Sequence, residues 1–535
     1  MKSLSSFKPV NAEYVEKTIK ASSNSSCALD PIPTSILKQC TEELVPVLQE
    51  IINKSLTSSE VPCDLKHAIL LPRVKKANQP LEPKNYRPVA NLPYLSKLLE
   101  QSAIDQMDTH FAENQLAEKY QSAYKPRHST ETALVHIVNS MLQSMDNNEV
   151  IFLTLLDLSA AFDVVDHSIM LKRFEKSQGI KDGALKWIES YLSNRSQQTC
   201  INGELSDRKS LECGFPQGSK MGPRLYQKYT EPLGLLAKIA ILLYHFYADD
   251  SQLWKTASAN SPVALVSAQR CLESGLSRIS DWMCSNKLKL NHSKTEFLIL
   301  GSEKNRSKVE DKFINVGQER VCSVPTATNL GVTIDQNMCF KPQIAKVAKS
   351  CRFQIYKIWK IRKYLSIDTT KSIVHATIIS RIDYCNALYV NLPESHLEPL
   401  EKVLREAARL VTLTPRSERI TPVMCSLHWL PVKFRIKYKV LLMVYKALHD
   451  LAPSYMRDML KPYRPSRLLR SAEKNLLEEP RFKLKSVGLR SFEAAAPRLW
   501  NTLPQSIRNS PNVSTFKKDL KTCLFKQAYH SILNT

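Results

Sequence analysis

The sequence predicts an α+β fold that runs into a basic, almost wholly helical last third, and three observations predict it. The first is a continuous apolar run, EVIFLTLLDL, at residues 149–158, the pattern of a strand buried on both faces. The second is a pair of strand-like runs, ILLYHF and SQLW, flanking Tyr247-Ala248-Asp249-Asp250, with a further strand-like run, EFLILG, at 296–301. The third is a change near residue 341. Beyond it, apolar residues recur at helical spacing among many cations, as in IAKVAKSCRFQIYKIWKIRKYL and FRIKYKVLLMVYKALHDL.

In chain order, the first sixty residues read as helical: VEKTIKASS, then SILKQCTEELVPVLQEIINKSL, with ALDPIPTSIL as the turn into the second helix. A proline-rich stretch from Pro62 to Pro93 precedes a long amphipathic segment beginning at Tyr94. After the strand ending at Asp157, SAAFDVVDHSIMLKRF is predicted to be helical, and VALVSAQRCLESGLSRISDWMCSN supplies a helix between strands.

Hydrophobic residues make up 43% of the 535, enough for a large core, which excludes a globally disordered chain. Only 12 are glycine, which excludes collagen-like and glycine-repeat architectures. The net charge is +24, and residues 341–535 hold 36 Lys and Arg against 14 Asp and Glu, a net of +22. Charge of that density favours a polyanionic partner, nucleic acid ahead of an anionic membrane. Thirteen cysteines without a C-x-x-C pair give neither a disulfide framework nor a zinc knuckle, so reduced thiols inside the cell are expected. The start, MKSLSSFKPV, has no apolar signal core. The longest apolar run, Leu233 to Ala248, is broken by Lys238 and His245, so no membrane span is expected.

The chemistry rests on carboxylates. Asp157 stands at the end of the buried strand, and Asp249 and Asp250 sit where a hairpin turn would present them, 92 residues further on. Mg²⁺ takes oxygen ligands, usually one or two protein carboxylates plus phosphate oxygens. Two such ions about 3.5–4 Å apart clamp the attacking and leaving oxygens of phosphoryl transfer. An Asp-Asp in a turn is by itself ordinary turn chemistry; the pattern gains weight from the segments around it.

Those segments resemble, in order, the motifs of reverse transcriptases of non-LTR retrotransposons (LINE elements, the jockey-like and related groups). KNYRPVANLPYLSKLLE and QSAYKPRHSTETAL resemble the fingers motifs, LLDLSAAFDVVDH motif A, GFPQGSKMGP motif B, and HFYADDSQLW motif C. NKLKLNHSKTEFLILG resembles motif D and NLGVTIDQNMCFKPQI the primer-grip motif E. LHWLPVKFRIKYK and SFEAAAPRLWNTLP resemble segments found downstream of the polymerase.

The resemblance implies a right-hand polymerase: a helical N-terminal extension at 1–60, fingers and palm at 61–340, a helical thumb at 341–418 and a basic C-terminal region at 419–535. It implies an RNA-directed DNA polymerase with an RNA template, a DNA primer or target DNA, and dNTPs, working in the nucleus or cytoplasm with two Mg²⁺ ions, Mn²⁺ being the alternative. Asp157, the carbonyl of Leu158 and Asp249 would hold metal, with Asp250 in support and Lys294 as acid for the leaving pyrophosphate. Phe162 would exclude a 2′-hydroxyl, Gln217 and Gly218 would lie at the nucleotide, Lys75 and Arg87 would hold its triphosphate, and Leu330 and Gly331 would grip the primer.

The chain also departs from the pattern. Lys220, Arg224, Gln227 and Lys228 occupy an apolar run of motif B, where charge is costly unless it pairs or snorkels. Ala123-Tyr124 and Pro126-Arg127 are unusual in the fingers motif. The upstream endonuclease usual in the family is not in this sequence, as expected of a 5′-truncated element or of an incomplete gene model. A decayed or domesticated copy that only binds RNA is the alternative function.

Overall fold

The computed structural model describes residues 2–24, 27–75, 80–159, 161–464 and 475–533. The chain forms two compact units, each built from separated stretches. The first takes Met1–Glu118, Leu158–Leu236 and Arg278–Asn291; the second takes Lys119–Asp157, Ala237–Ser277 and His292–Thr535.

In the first unit the opening sixty residues are helical, as expected, over Ala12–Ala21, Thr34–Gln39 and Thr41–Ser58. The first of these helices starts where the Asn11 side chain accepts from the Tyr14 N–H at 2.9 Å, an ordinary N-cap. The proline-rich stretch is a sheet: His67–Val74 pairs antiparallel with Tyr86–Asn91 and parallel with Arg195–Ile201. Pro72 lies opposite Pro88 in the first pairing. The long amphipathic segment is the helix Tyr94–Glu113.

The helix expected directly after Asp157 starts later than the sequence suggests, at His167. Asp166 takes the N-cap position and accepts from the Ile169 N–H at 3.0 Å, so Ser159 stays in a short strand with Leu158 and the residues from Ala161 to Asp163 form a turn ahead of the cap.

The charged motif B helix, Met221–Thr230, resolves its departures by pairing. Arg224 lies 2.8 Å from Asp108. Lys228 is buried, with its ammonium 2.9 Å from Glu231, donating to the Leu116 carbonyl and standing 4.1 Å from the centroid of the Phe111 ring. Burial pulls the Lys228 ammonium below its ordinary range, and Glu231 opposes that pull. Lys228→Met should therefore cost about 3 kcal/mol, because it leaves the shielded Glu231 carboxylate without its cation and the Leu116 carbonyl without this donor. Arg224→Leu, at a more exposed pair, should cost less than about 1 kcal/mol. Urea unfolding of the two variants checks the ordering, and equal losses would refute it.

The second unit holds a four-stranded antiparallel sheet in the order Glu296–Leu300, Glu149–Leu156, Asp250–Ser258, Leu243–Tyr247. The apolar run 149–158 thus supplies a central strand, buried from Val150 to Leu156. The helix Thr130–Asp146 packs against it and begins in a capping box between Ser129 and Thr132. Beyond Asp335 the described chain is almost wholly helical, the longest segments being Lys341–Ile361, Glu394–Thr412, Val432–Leu448 and Val513–Ala528. One hydrophobic core runs through this unit from Leu134 on the sheet-backing helix to Trp429, Tyr445, Trp500 and Tyr529. Residues on both sides of position 419 are in it, among them Leu404, Val411, Val440 and Phe516.

The apolar run 233–248 is divided between the helix Pro232–Ile239 and the strand Leu243–Tyr247. Among the described residues no helix is long and apolar enough to cross a membrane. All thirteen cysteines are free.

Candidate active site

The strands Leu243–Tyr247 and Asp250–Ser258 form a hairpin in which Tyr247 pairs with Asp250, leaving Ala248-Asp249 as the two-residue turn. Ala248 adopts φ 57°, the left-handed conformation such tight turns use. Gln121 holds this turn from a neighbouring segment: its Oε1 accepts from the Ala248 N–H at 3.1 Å and its Nε2 donates to the Ala248 carbonyl at 3.4 Å. Main-chain bonds extend the clamp, Phe246 N–H to Tyr120 O at 2.8 Å and Ser122 N–H to Phe246 O at 3.0 Å. Behind the strand, His245 is fully buried, with Nε2 2.8 Å from the Ser122 hydroxyl and Nδ1 3.3 Å from His136 Nδ1. Burial keeps both imidazoles below their usual range, His136 at about 4, so they serve here as neutral packing.

The central strand brings its terminal carboxylate to the same place. Leu156 pairs with Ser251, so Asp157 follows directly beside Asp250. Lys294, 137 residues away, sets its Nζ 2.8 Å from Asp157 Oδ2. The Asp250 carboxyl is pushed up to about 6, first by burial and then by the negative charges of Asp249 and Asp157, with Lys294 opposing. Three predicted carboxylates and the predicted lysine therefore share one electrostatic site.

The donor set suits a hard divalent cation: only oxygens, an excess of negative charge, and one carboxyl whose ionisation that excess already penalises. Among the described residues no group of three or more His, Cys, Asp or Glu is gathered to hold an ion unaided. A shell completed by phosphate oxygens and water is the ordinary arrangement for Mg²⁺.

Next to this hairpin is another. Thr326–Asn329 pairs with Val332–Asp335, leaving Leu330-Gly331 as a two-residue turn with φ 46° and 81°, a type I′ pattern. Gln252, two residues after Asp250, donates to Asn329 Oδ1 at 3.0 Å, and the Tyr384 hydroxyl donates to the Leu330 carbonyl at 2.7 Å. Leu330 and Gly331 are thereby fixed to the strand that carries the acid pair.

The remaining predicted residues belong to the first unit and are described within it. Leu158 is buried and pairs with Leu290. Phe162 is half-buried, its ring stacked on Tyr226 with centroids 4.5 Å apart and planes at 22°. Gln217 donates to Asp163 Oδ1 at 2.8 Å, and its carbonyl accepts from the Ala90 N–H at 2.7 Å. Gly218 has φ 145°, and a Cβ there would stand 2.2 Å from the Ala90 carbonyl oxygen, so only glycine allows this approach. Lys75 and Arg87 are exposed on the hairpin His67–Val74/Tyr86–Asn91. Arg87 lies directly opposite Arg73, an arrangement of like charges that favours an anion between them.

Sequence reasoning missed Gln121, Arg73 and Glu100. Glu100 is 1% exposed and accepts from the backbone N–H groups of Lys220 and Met221 at 2.6 and 3.1 Å and from the Tyr191 hydroxyl at 3.2 Å. It caps the motif B helix from 120 residues away. The available signal was its place on the buried stripe of Leu99, Ala103 and Ile104, where an unpaired carboxylate would be costly.

A hairpin bearing an acid pair beside a strand-end aspartate defines a class as well as a geometry, and the comparison with known families agrees. Residues 74–334 match the family described as reverse transcriptase (RNA-dependent DNA polymerase): this part of the chain is a reverse transcriptase domain. Among individual proteins, the chain is similar to the RNA-directed DNA polymerase from mobile element jockey of Drosophila funebris, with 23% identity covering 78% of this chain and 46% of the relative. It is similar also to the probable RNA-directed DNA polymerases from transposon BS and transposon X-element of Drosophila melanogaster. Those matches show 26% and 23% identity, over 64% and 75% of this chain and 38% and 43% of the relatives. The chain thus spans less than half the length of these curated relatives.

Proposed function

We propose that the chain is the RNA-directed DNA polymerase of a non-LTR mobile element, adding dNTPs to a primer 3′-hydroxyl on an RNA template. The observation that carries this reading is the convergence of Asp157, Asp249, Asp250 and Lys294 at one strand end and hairpin turn within a reverse transcriptase domain. In this reading 61–340 are fingers and palm, 341–418 the thumb, 1–60 an N-terminal extension and 419–535 a basic C-terminal region. Synthesis primed at target DNA would take place in the nucleus.

The reaction joins the primer 3′-oxygen to the α-phosphorus and releases pyrophosphate. Asp157 and Asp249, with the Leu158 carbonyl, would hold two Mg²⁺ ions, and Asp250 would set the negative potential that retains them. When bound, such ions neutralise the phosphate charge that grows on the attacking and leaving oxygens. Lys294, already positioned by Asp157, would give its proton to the departing pyrophosphate. Lys75 and Arg87 would hold the triphosphate, the arginine through its planar fork. Gln217 would lie at the nucleotide on a loop whose path Gly218 permits, and the Leu330-Gly331 turn would carry the primer end.

The deciding experiment is primer extension on an RNA template by the purified protein, with and without Mg²⁺. Extension that depends on the metal, the template and the primer supports the reading; template binding without extension is the result expected of a copy that only binds RNA.

Sugar selection gives a narrower test. Phe162 is held by its stack on Tyr226, so its ring can act as a wall. Phe162→Ala should lower the ratio of kcat/KM for dNTP over rNTP by roughly ten- to a hundredfold, the scale of steric discrimination. An unchanged ratio would make Phe162 a packing residue only.

A further inference from the structure

We infer that the helical C-terminal part of the second unit carries a binding site for one unpaired nucleotide of a nucleic-acid strand, formed around the LHWLP segment and separate from the carboxylate site. The site is an open cavity of about 480 Å³ whose lining includes His375, Trp429, Tyr438, Arg435, Lys517 and Lys521. That volume is in the range of pockets for small ligands, and its two kinds of wall match the two halves of a nucleotide.

The apolar wall is preorganised. Trp429 is buried, and its indole N–H donates to His375 Nε2 at 3.1 Å, the two rings meeting edge to face at 84°. The His375 imidazole is therefore neutral and carries its proton on Nδ1. His375 also opens a single π-helical turn, His375–Ile379, set between the helices Ile367–Val374 and Ser380–Asp383. Such turns are rare and recur at functional sites. Tyr438 is half-buried and adds a further aromatic ring to the lining.

The charged wall is unbalanced. Arg435 is matched by Asp383 at 2.8 Å and Lys439 by Glu131 at 3.0 Å. Lys517 and Lys521 are four residues apart on the helix Val513–Ala528 and exposed, and among the described residues no ion pair engages either. Cations at that spacing share a helix face and repel, an arrangement that a bound anion relieves. A phosphate at these two lysines with its base against the aromatic wall uses both walls. A base can reach such a pocket only when it is unpaired, so the strand is single.

The inference does not depend on polymerase activity, and its test is run without dNTPs or Mg²⁺. A fluorescein-labelled single-stranded RNA of mixed sequence and a duplex DNA of equal length are titrated against the full chain at several salt concentrations. Lys517→Ala/Lys521→Ala should flatten the log affinity versus log salt slope for the single strand by about 1.4, since each phosphate contact on a single strand contributes about 0.7. Tyr438→Leu keeps the apolar bulk. It should weaken single-strand binding by about tenfold, the scale of one stacked base, while leaving the salt slope and duplex binding unchanged. Lys483→Ala/Lys485→Ala removes the same charge from exposed positions away from the cavity and should leave the slope nearly intact. Unchanged melting temperatures establish that the variants fold. Equal flattening by the two double variants, or a Tyr438→Leu protein that binds single strands as wild type, would overturn the site.

Discussion

Asp249→Asn should reduce primer extension by about three orders of magnitude while leaving affinity for the RNA template almost unchanged. The substitution is nearly isosteric and leaves in place the main-chain pairing of the hairpin and the two Gln121 bonds to Ala248. It removes one of the negative charges that raise Asp250. Metal stabilisation of transferring phosphates is worth several kcal/mol, and each 1.36 kcal/mol is a factor of ten in rate. Single-turnover extension with saturating template, paired with an RNA-binding titration, measures both quantities. Comparable extension by the variant would remove Asp249 from the metal site, whereas a parallel loss of binding would point to a folding defect. Gln121→Ala supplies an internal comparison: it touches no reacting group in this account, so its loss of rate should be smaller and should come through misplacement of the turn.

The largest effect on stability is expected at Glu100. Glu100→Ala should cost about 3 kcal/mol or more, since the first N–H groups of the motif B helix lose their acceptor in a fully buried setting. Glu100→Gln retains an acceptor oxygen and should cost much less. The pair also yields a signed pH prediction. Burial raises the Glu100 carboxyl above its ordinary value of 4.5, so the folded protein binds its proton more tightly than the unfolded chain. The stability linked to that proton is fully present below the unfolded value and is lost as pH rises through the raised folded one. The gap between wild type and Glu100→Gln should shift in that sense across the mildly acidic range. Urea unfolding at several pH values reads it, and a pH-independent gap would show that Glu100 does not titrate there.

What could be read in advance follows from how local the signals are. Val150–Leu156 announces itself because a strand covered on both faces is apolar at every position. The acid hairpin is legible because Asp249-Asp250 interrupts two strand-like runs. The pairing of His67–Val74 with Tyr86–Asn91 is masked by Pro72 and Pro88, which sit opposite one another and argue locally against a strand. The late helix start at His167 turns on which of several aspartates takes the cap, and Asp166 does. The charges of motif B read as misfits because Asp108 and Leu116, which satisfy Arg224 and Lys228, lie more than a hundred residues upstream. Gln121 and Glu100 were missed for the same reason: their partners are 127 and 120 residues away.

The core of the second unit has a consequence for how this chain is made. Residues from the sheet-backing helix and from the final turns of the chain belong to one cluster, Leu134 at one extreme and Tyr529 at the other. The Tyr455 hydroxyl bonds the Thr132 hydroxyl at 3.1 Å across 323 positions, and the Glu493 N–H bonds Asn139 Oδ1 at 3.0 Å across 354. Loops of that length must close before such contacts return any free energy, which slows folding. During translation the sheet that bears Asp157 and Asp249 emerges from the ribosome hundreds of residues before the helices that finish its support. A nascent chain must hold this apolar surface uncovered until the residues up to Tyr529 have followed it. A stop codon ahead of Val513, far along the sequence from the carboxylate hairpin, would therefore strip Phe516, Leu520 and Tyr529 from the core that backs this sheet.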